Sequence, residues 1–334
     1  MKAYTLLEFG DIGNLQVTEI EKPKSGSGQV LIRAKATSVN PVDYKIRSGA
    51  ASFFAPLAPR ILHGDVAGIV DQVGAGVTTF KPGDEVYGCI GGVGPRQGAL
   101  AEFVIADASL LAKKPKALSF REAAALPLVA ITAWEALIDK AEIQPGQIVL
   151  VHAGAGGVGH IGVQLAKAKG AVVHTTVSSE EKAKLARELG ADVVINYKKQ
   201  SVGSYVAELT SGKGYDVVFD TVGGKNIEAS FEAAKVYGTV VSCQAANPAV
   251  DLRATAMKSL NFHAVLMLIP LLGGEEQAAM RTHQGQIMAS ISELVDAGKL
   301  KPIVDEKRFG FSDVGLAHRR AESGEQVGKV VVEF

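Results

Sequence analysis

The chain has 334 residues, with 35 basic and 35 acidic side chains, so its net charge is zero; 47% of residues are hydrophobic and 21% charged. That length allows two domains and a large buried core, and the balanced charge offers no basic field for a polyanion, which excludes nucleic acid as the main partner. Two cysteines, Cys89 and Cys243, exclude a disulfide framework and a four-thiolate metal site, and the most apolar stretch, Ala264 to Leu272, is far short of the roughly 20 residues that span a bilayer.

From the start of the chain, Lys2–Phe9, Leu15–Ile20 and Gln29–Val39 read as strands, the last strongly alternating. The first lacks the long apolar run of a signal peptide, so a reduced, cytoplasmic protein with no membrane partner is expected. Lys81-Pro82-Gly83-Asp84 has proline and glycine at the inner turn positions and leads into Glu85-Val86-Tyr87. Many short strands predict a partly closed β-barrel over residues 1–123. Over 124–268 strand and helix alternate. Strands are expected at Ile148–His152, Val172–Thr176, Val193–Ile195, Val217–Asp220 and Thr239–Ser242. Helices are expected straight after the first strand and at Ser179–Leu189, Val202–Leu209 and Asn226–Ala234. Such βα units imply a parallel, doubly wound sheet. In the remainder, 269–334, a helix over Gly285–Ala297 and a last strand at Lys329–Phe334 imply a return to the first domain.

Between the first expected strand and its helix lies Gly154-Ala155-Gly156-Gly157-Val158-Gly159. Strand, glycines, helix is the order that a nucleotide diphosphate requires. Gly154 permits the tight turn, Gly156 lets the backbone approach the phosphates, and Gly159 lets helix and strand pack closely. The end of the second strand then selects the dinucleotide. A carboxylate there would bond the ribose hydroxyls of NAD and repel a 2′-phosphate. The chain instead has Thr175-Thr176-Val177-Ser178-Ser179, and Glu180 and Glu181 come later, where they complement a helix dipole. Neutral Ser178, Lys182 one helical turn on, and Tyr197 beyond the third strand fit NADPH; alternatively Ser178 caps the helix, while Lys182 and Tyr197 are solvated.

Asn40-Pro41-Val42-Asp43-Tyr44 resembles the N-P-x-D segment of zinc-free quinone oxidoreductases, within the medium-chain dehydrogenase/reductase superfamily. Gly64-Asp65-Val66-Ala67-Gly68-Ile69-Val70, Val73-Gly74, Gly83-Asp84-Glu85-Val86, Ala124-Ala125-Leu126-Pro127 and Thr132-Ala133-Trp134 extend the likeness over nearly the whole chain. The resemblance implies an α/β protein: a Rossmann sheet domain plus a β-rich, GroES-like domain. It also implies NADPH-dependent hydride transfer to a quinone or α,β-unsaturated carbonyl. Zinc relatives place a cysteine and a histidine where this chain has Asn40 and Gly64, so no metal is expected. For catalysis it points to Asn40, otherwise a turn residue before Pro41. The family often has a threonine and a tyrosine where this chain has Tyr44 and Lys45; Tyr44 is the candidate proton donor here, with water as the alternative source. For the cofactor the resemblance adds Thr132, otherwise a helix cap, and Lys329, otherwise a surface lysine, to the turn and to Asn40; Ser242, at the end of the fifth strand, lies in the same layer. A homodimer, with Phe262–Leu268 supplying an edge strand, is the default. The same site would serve another activated alkene or carbonyl, and crystallin-like relatives leave open a non-catalytic NADPH-binding protein.

Overall fold

The computed structural model describes residues 1–244 and 250–334, which form two units: Met1–Ile131 with Leu268–Phe334, and Thr132–Met267. In the first, β1 (Lys2–Leu6) and β2 (Leu15–Glu19) pair as an antiparallel hairpin. Five more strands follow: β3 (Gln29–Ser38), β4 (Asp65–Val73), β5 (Glu85–Cys89), β6 (Phe103–Asp107) and β7 (Leu111–Lys113). Long β3 is the hub, hydrogen-bonded to both β4 and β6. Val30, Leu31 and Ile32 are all fully buried, so both faces of its middle are covered. A Cβ at Gly68 would stand 2.4 Å from the Arg33 carbonyl oxygen, so glycine is required where β4 crosses β3.

Three helices accompany these strands. α1 (Pro41–Ser48) starts with proline, and Asp43 accepts a hydrogen bond from the Asn40 N–H at 2.7 Å. α2 (Phe120–Ala124) is opened by a Ser119–Glu122 capping box. α3 (Pro127–Trp134) runs into a π-helical turn at Glu135–Lys140.

The second unit alternates as the sequence predicts. Its elements are β8 (Ile148–Val151), α4 (Gly159–Ala168), β9 (Val172–Val177), α5 (Glu180–Glu188), β10 (Val193–Asn196), α6 (Val202–Thr210), β11 (Tyr215–Asp220), α7 (Asn226–Ala233), β12 (Ala234–Ser242), α8 (Arg253–Lys258) and β13 (Asn261–Ala264). All strand pairs are parallel, in the order β10-β9-β8-β11-β12-β13. The order reverses between β8 and β11, the place where doubly wound sheets bind ligands. Leu150, Val218, Val240, Tyr205 and Phe231 fill the core on one face.

The returning segment contributes α9 (Ile269–Leu272), α10 (Ala278–Asp296), β14 (Phe309–Gly310), α11 (Val314–Glu322) and β15 (Val331–Glu333). β15 pairs antiparallel with β3, bringing the tail into the first sheet. One expectation needs correction here, and one helix was not expected. α10 starts at Ala278, and Gly285 lies within it, because a Cβ there would meet the Ser109 carbonyl oxygen at 2.1 Å. α11 escaped notice because its buried face, Val314, Ala317, His318 and Ala321, is small and partly polar. Among the described residues no helix is long and apolar enough to cross a membrane.

Candidate functional site

At the C-terminal end of β8 the chain turns through Ala153, which has φ +54°, so the left-handed residue is an alanine beside the glycines. A Cβ at Gly154 would lie 2.0 Å from Thr175 Oγ1, and one at Gly159 2.1 Å from the Ala153 carbonyl oxygen. Gly156 is roomier: the nearest atom to its Cβ position is the Ala153 carbonyl oxygen at 3.1 Å. Gly154 N–H donates to the Thr176 carbonyl and Gly156 N–H to that of Ala153. The N–H groups of Ala155, Gly157, Val158 and Gly159 have no partner among the described residues. Unsatisfied donors at the start of α4 are what a diphosphate fits, with the helix dipole adding to them.

Ser178 follows β9, and Tyr197 follows its neighbour β10, with Tyr197 N–H donating to the Val177 carbonyl at 3.2 Å. The structure therefore brings these two strand ends together. Ser179, rather than Ser178, caps α5 through the Lys182 N–H at 3.3 Å. Ser178 and Lys182 are half-buried and Tyr197 is 54% exposed, and their side-chain polar groups have no partner among the described residues. At the end of β11, buried Asp220 accepts from the N–H groups of Val222 and Gly223, from Asn226 Nδ2 and from Ser242 Oγ. Ser242 Oγ also accepts from Gln244 N–H. Ser242, expected at the cofactor, thus holds the Asp220 turn through its hydroxyl. Burial and the Asp220 charge push the Cys243 thiol up to about 12, which disfavours the thiolate that a nucleophile needs. Thr132 is buried on α3.

In the β-rich unit, a buried polar cluster gathers around Asp65. Its carboxylate accepts from Ser38 Oγ at 2.6 Å, Asn40 Nδ2 at 2.7 Å and the Leu128 N–H at 2.8 Å. Lys329 Nζ donates to the Val39 carbonyl at 2.8 Å and to Asn40 Oδ1. Asn40 is wholly buried and both ends of its amide are engaged inside the unit. Asn40 and Lys329, both expected at the cofactor, thus hold each other beside Asp65. Sequence reading missed Asp65 as the hub, because a carboxylate in a G-D-V-A-G string carries no mark of its burial.

Two carboxylates face one ammonium in this cluster. Burial first, then the Asp65 charge, pushes the Asp43 carboxyl up to about 7, while burial pulls the Lys329 ammonium down against the attraction of Asp65 and Asp43. Zinc does not fit this donor set. Asn40 and Gly64 offer no thiolate or imidazole, a buried ammonium already stands against Asn40, and burial with the Asp65 and Asp43 charges holds the Cys89 thiol well above its ordinary value.

Tyr44, on α1, is half-buried, and its hydroxyl has no partner among the described residues. Burial, then the charges of Glu322 and Asp43, raise its pKa and keep the phenol protonated. Behind it, Thr37 Oγ1 donates to the Asp65 carbonyl and so accepts from His63 Nδ1, leaving His63 Nε2 to accept from His318 Nε2 at 2.9 Å. His318 is held down to about 3 by burial and Arg47, and His63 well below 6.5 by burial. Unfolded imidazoles take protons near pH 6.5 and these do not, so their contribution to stability is present above that value and lost as pH falls towards 3. Asp43 acts in the opposite sense between 3.8 and about 7. With two imidazoles against one carboxyl, the stability of this unit is expected to fall from about pH 6.5 to pH 5 by roughly 1 kcal/mol per pH unit, and its thermal midpoint with it. A midpoint that rose on acidification would contradict this.

Residues 26–116 match the alcohol dehydrogenase GroES-like domain family, and 189–332 the zinc-binding dehydrogenase family. A 2-methylene-furan-3-one reductase of Solanum lycopersicum is 36% identical over 339 residues, spanning 99% of this chain and 79% of that protein. An NADPH-dependent alkenal/one oxidoreductase of Arabidopsis thaliana, described as chloroplastic, is 35% identical with the same coverage. The solved Escherichia coli quinone oxidoreductase complexed with NADPH is 30% identical, with a TM-score of 0.85 and full coverage of both chains. Together with the β10-β9-β8-β11-β12-β13 sheet and the β-rich unit, these likenesses establish that the chain belongs to the medium-chain dehydrogenase/reductase superfamily, on its quinone oxidoreductase branch.

Proposed function

We propose that the protein reduces a quinone or an α,β-unsaturated carbonyl with NADPH and without a metal electrophile. The observation that carries this reading is the set of unpaired N–H groups at the start of α4, in the same unit as a strand end that carries Ser178 and Lys182 and no carboxylate. The activities named for the tomato, Arabidopsis and Escherichia coli relatives support it. NADPH, when bound, supplies the hydride. The turn holds its diphosphate, Ser178 and Lys182 receive the 2′-phosphate, and Tyr197 covers the adenosine. A conjugated acceptor spreads the negative charge that arrives with hydride, so orientation and exclusion of water supply most of the acceleration. Tyr44 donates the balancing proton from its phenol oxygen.

Loss of NADPH absorbance with quinones and alkenals, but not with saturated aldehydes, is the expected result, unchanged by chelators. Chelator-sensitive turnover, or activity confined to saturated aldehydes, would overturn the reading. Lys182→Ala is expected to weaken NADPH about ten- to hundredfold while sparing NADH, because a charge-assisted hydrogen bond is lost. Equal loss of both cofactors in a fluorescence titration would count against it.

The assembly we infer is a homodimer formed along β13, an edge strand with one side of Asn261–Ala264 unpaired within the sheet. Light scattering should give twice 34.9 kDa, and a monomer would refute it. A cytoplasmic location is supported by two free thiols and is tested by fractionation.

A further inference from the structure

We propose that His152 and Thr176 form a tether that holds Ala153 left-handed and so positions the N–H groups of the glycine turn for a dinucleotide diphosphate. The proposal rests on the NADPH reading above and assigns both residues a positioning role in that site.

A left-handed alanine is strained and persists only where its surroundings enforce it. Here the enforcement comes from one residue of the neighbouring strand. Thr176 Oγ1 accepts from the Ala153 N–H at 3.1 Å, and the Thr176 carbonyl accepts from Gly154 N–H at 3.2 Å. With its lone pair given to Ala153, the Thr176 hydroxyl has its proton left for His152 Nδ1, which lies 3.2 Å away. We assign the imidazole as a neutral acceptor at Nδ1, the tautomer that gives the Thr176 proton a partner; its Nε2 is buried with no partner among the described residues. That acceptor turns the hydroxyl so that its oxygen faces Ala153. His152 is itself pinned to β11: its N–H donates to the Phe219 carbonyl at 3.0 Å, and its carbonyl accepts from Thr221 Oγ1 at 2.8 Å. The tether thus joins the ends of β9, β8 and β11 at the residue where the turn begins. Ala153 sets the path beyond it, since its carbonyl accepts from Gly156 N–H at 2.8 Å and is the atom against which Gly159 packs.

The test uses a strain argument. Glycine adopts the left-handed conformation without cost, so Ala153→Gly removes the need for a tether. Thr176→Val and His152→Ala should each weaken NADPH about three- to tenfold, the worth of one hydrogen bond. His152→Asn, which keeps an acceptor near the Nδ1 position, should stay within about twofold of the parent. Adding Ala153→Gly to Thr176→Val should restore most of the lost affinity. Adenosine 2′-monophosphate, which lacks the diphosphate, should bind all variants equally well, whereas a generally damaged unit would bind it worse. Unchanged NADPH affinity in Thr176→Val and His152→Ala, failure of the glycine to rescue, or parallel loss of adenosine 2′-monophosphate would overturn the tether. Parent protein that does not bind NADPH would instead overturn the reading on which it rests.

Discussion

Asp65→Ala is expected to cost the β-rich unit about 3–5 kcal/mol, lowering its thermal midpoint by roughly 10 °C. The Asp65 carboxylate is the shared acceptor of Ser38, Asn40 and the second residue of α3, and it faces the buried Lys329 ammonium. Removing it takes the acceptor from the buried Ser38 and Asn40 donors and part of the counter-charge from a lysine that is only 4% exposed. Asp65→Asn should cost less, since an amide oxygen still accepts from part of this set. It should also move the Asp43 proton to lower pH, because the Asp65 charge is one of the causes that raise it. Thermal melts, with carboxyl titration by NMR, measure both effects. A midpoint within about 2 °C of the parent for Asp65→Ala would show that the cluster is not what holds β3, β4 and α3 together.

A second large effect is expected at the glycine turn, and it separates two glycines that look alike in sequence. Gly154→Val pushes side-chain atoms into Thr175, where even a Cβ would stand 2.0 Å from Oγ1, so the β8–β9 ends must part. NADPH affinity should fall by about a hundredfold, with a loss of roughly 1–3 kcal/mol in the stability of the sheet unit. Gly156→Ala meets nothing closer than 3.1 Å, so its cost in stability should be small, while its methyl obstructs the approach of a diphosphate. Binding lost without stability is the signature expected there. If both variants lost binding and stability together, the roomy side of Gly156 would not be the ligand side.

How much of this was visible in the residues depends on which force fixed each feature. The parallel sheet was legible because Ile148–Val151, Val172–Val177 and Tyr215–Asp220 are short apolar runs set between helical periods, and that pattern is local. The glycine turn was legible for the same reason. Asn40 and Lys329 were located, but the network that holds them was not legible. Their roles are set by burial against residues 289 positions apart in sequence, and a polar residue does not announce that it is sealed. The bond from the Ser242 hydroxyl to Asp220, across 22 residues, was hidden in the same way. Ala153 was invisible because the conformation of a non-glycine residue comes from its tethers and leaves no mark in composition.

The threading of the chain has a consequence for biogenesis. Residues 132–267 are contiguous, whereas the other unit needs β15 beside β3 and Lys329 beside Asn40, both from the final portion. On a ribosome, the nucleotide-binding half can therefore acquire its native state while the β-rich half still waits, with an unsatisfied strand border and a carboxylate pocket lacking its cation. That nascent intermediate is the species most exposed to aggregation, and the one a chaperone would be called on to shield.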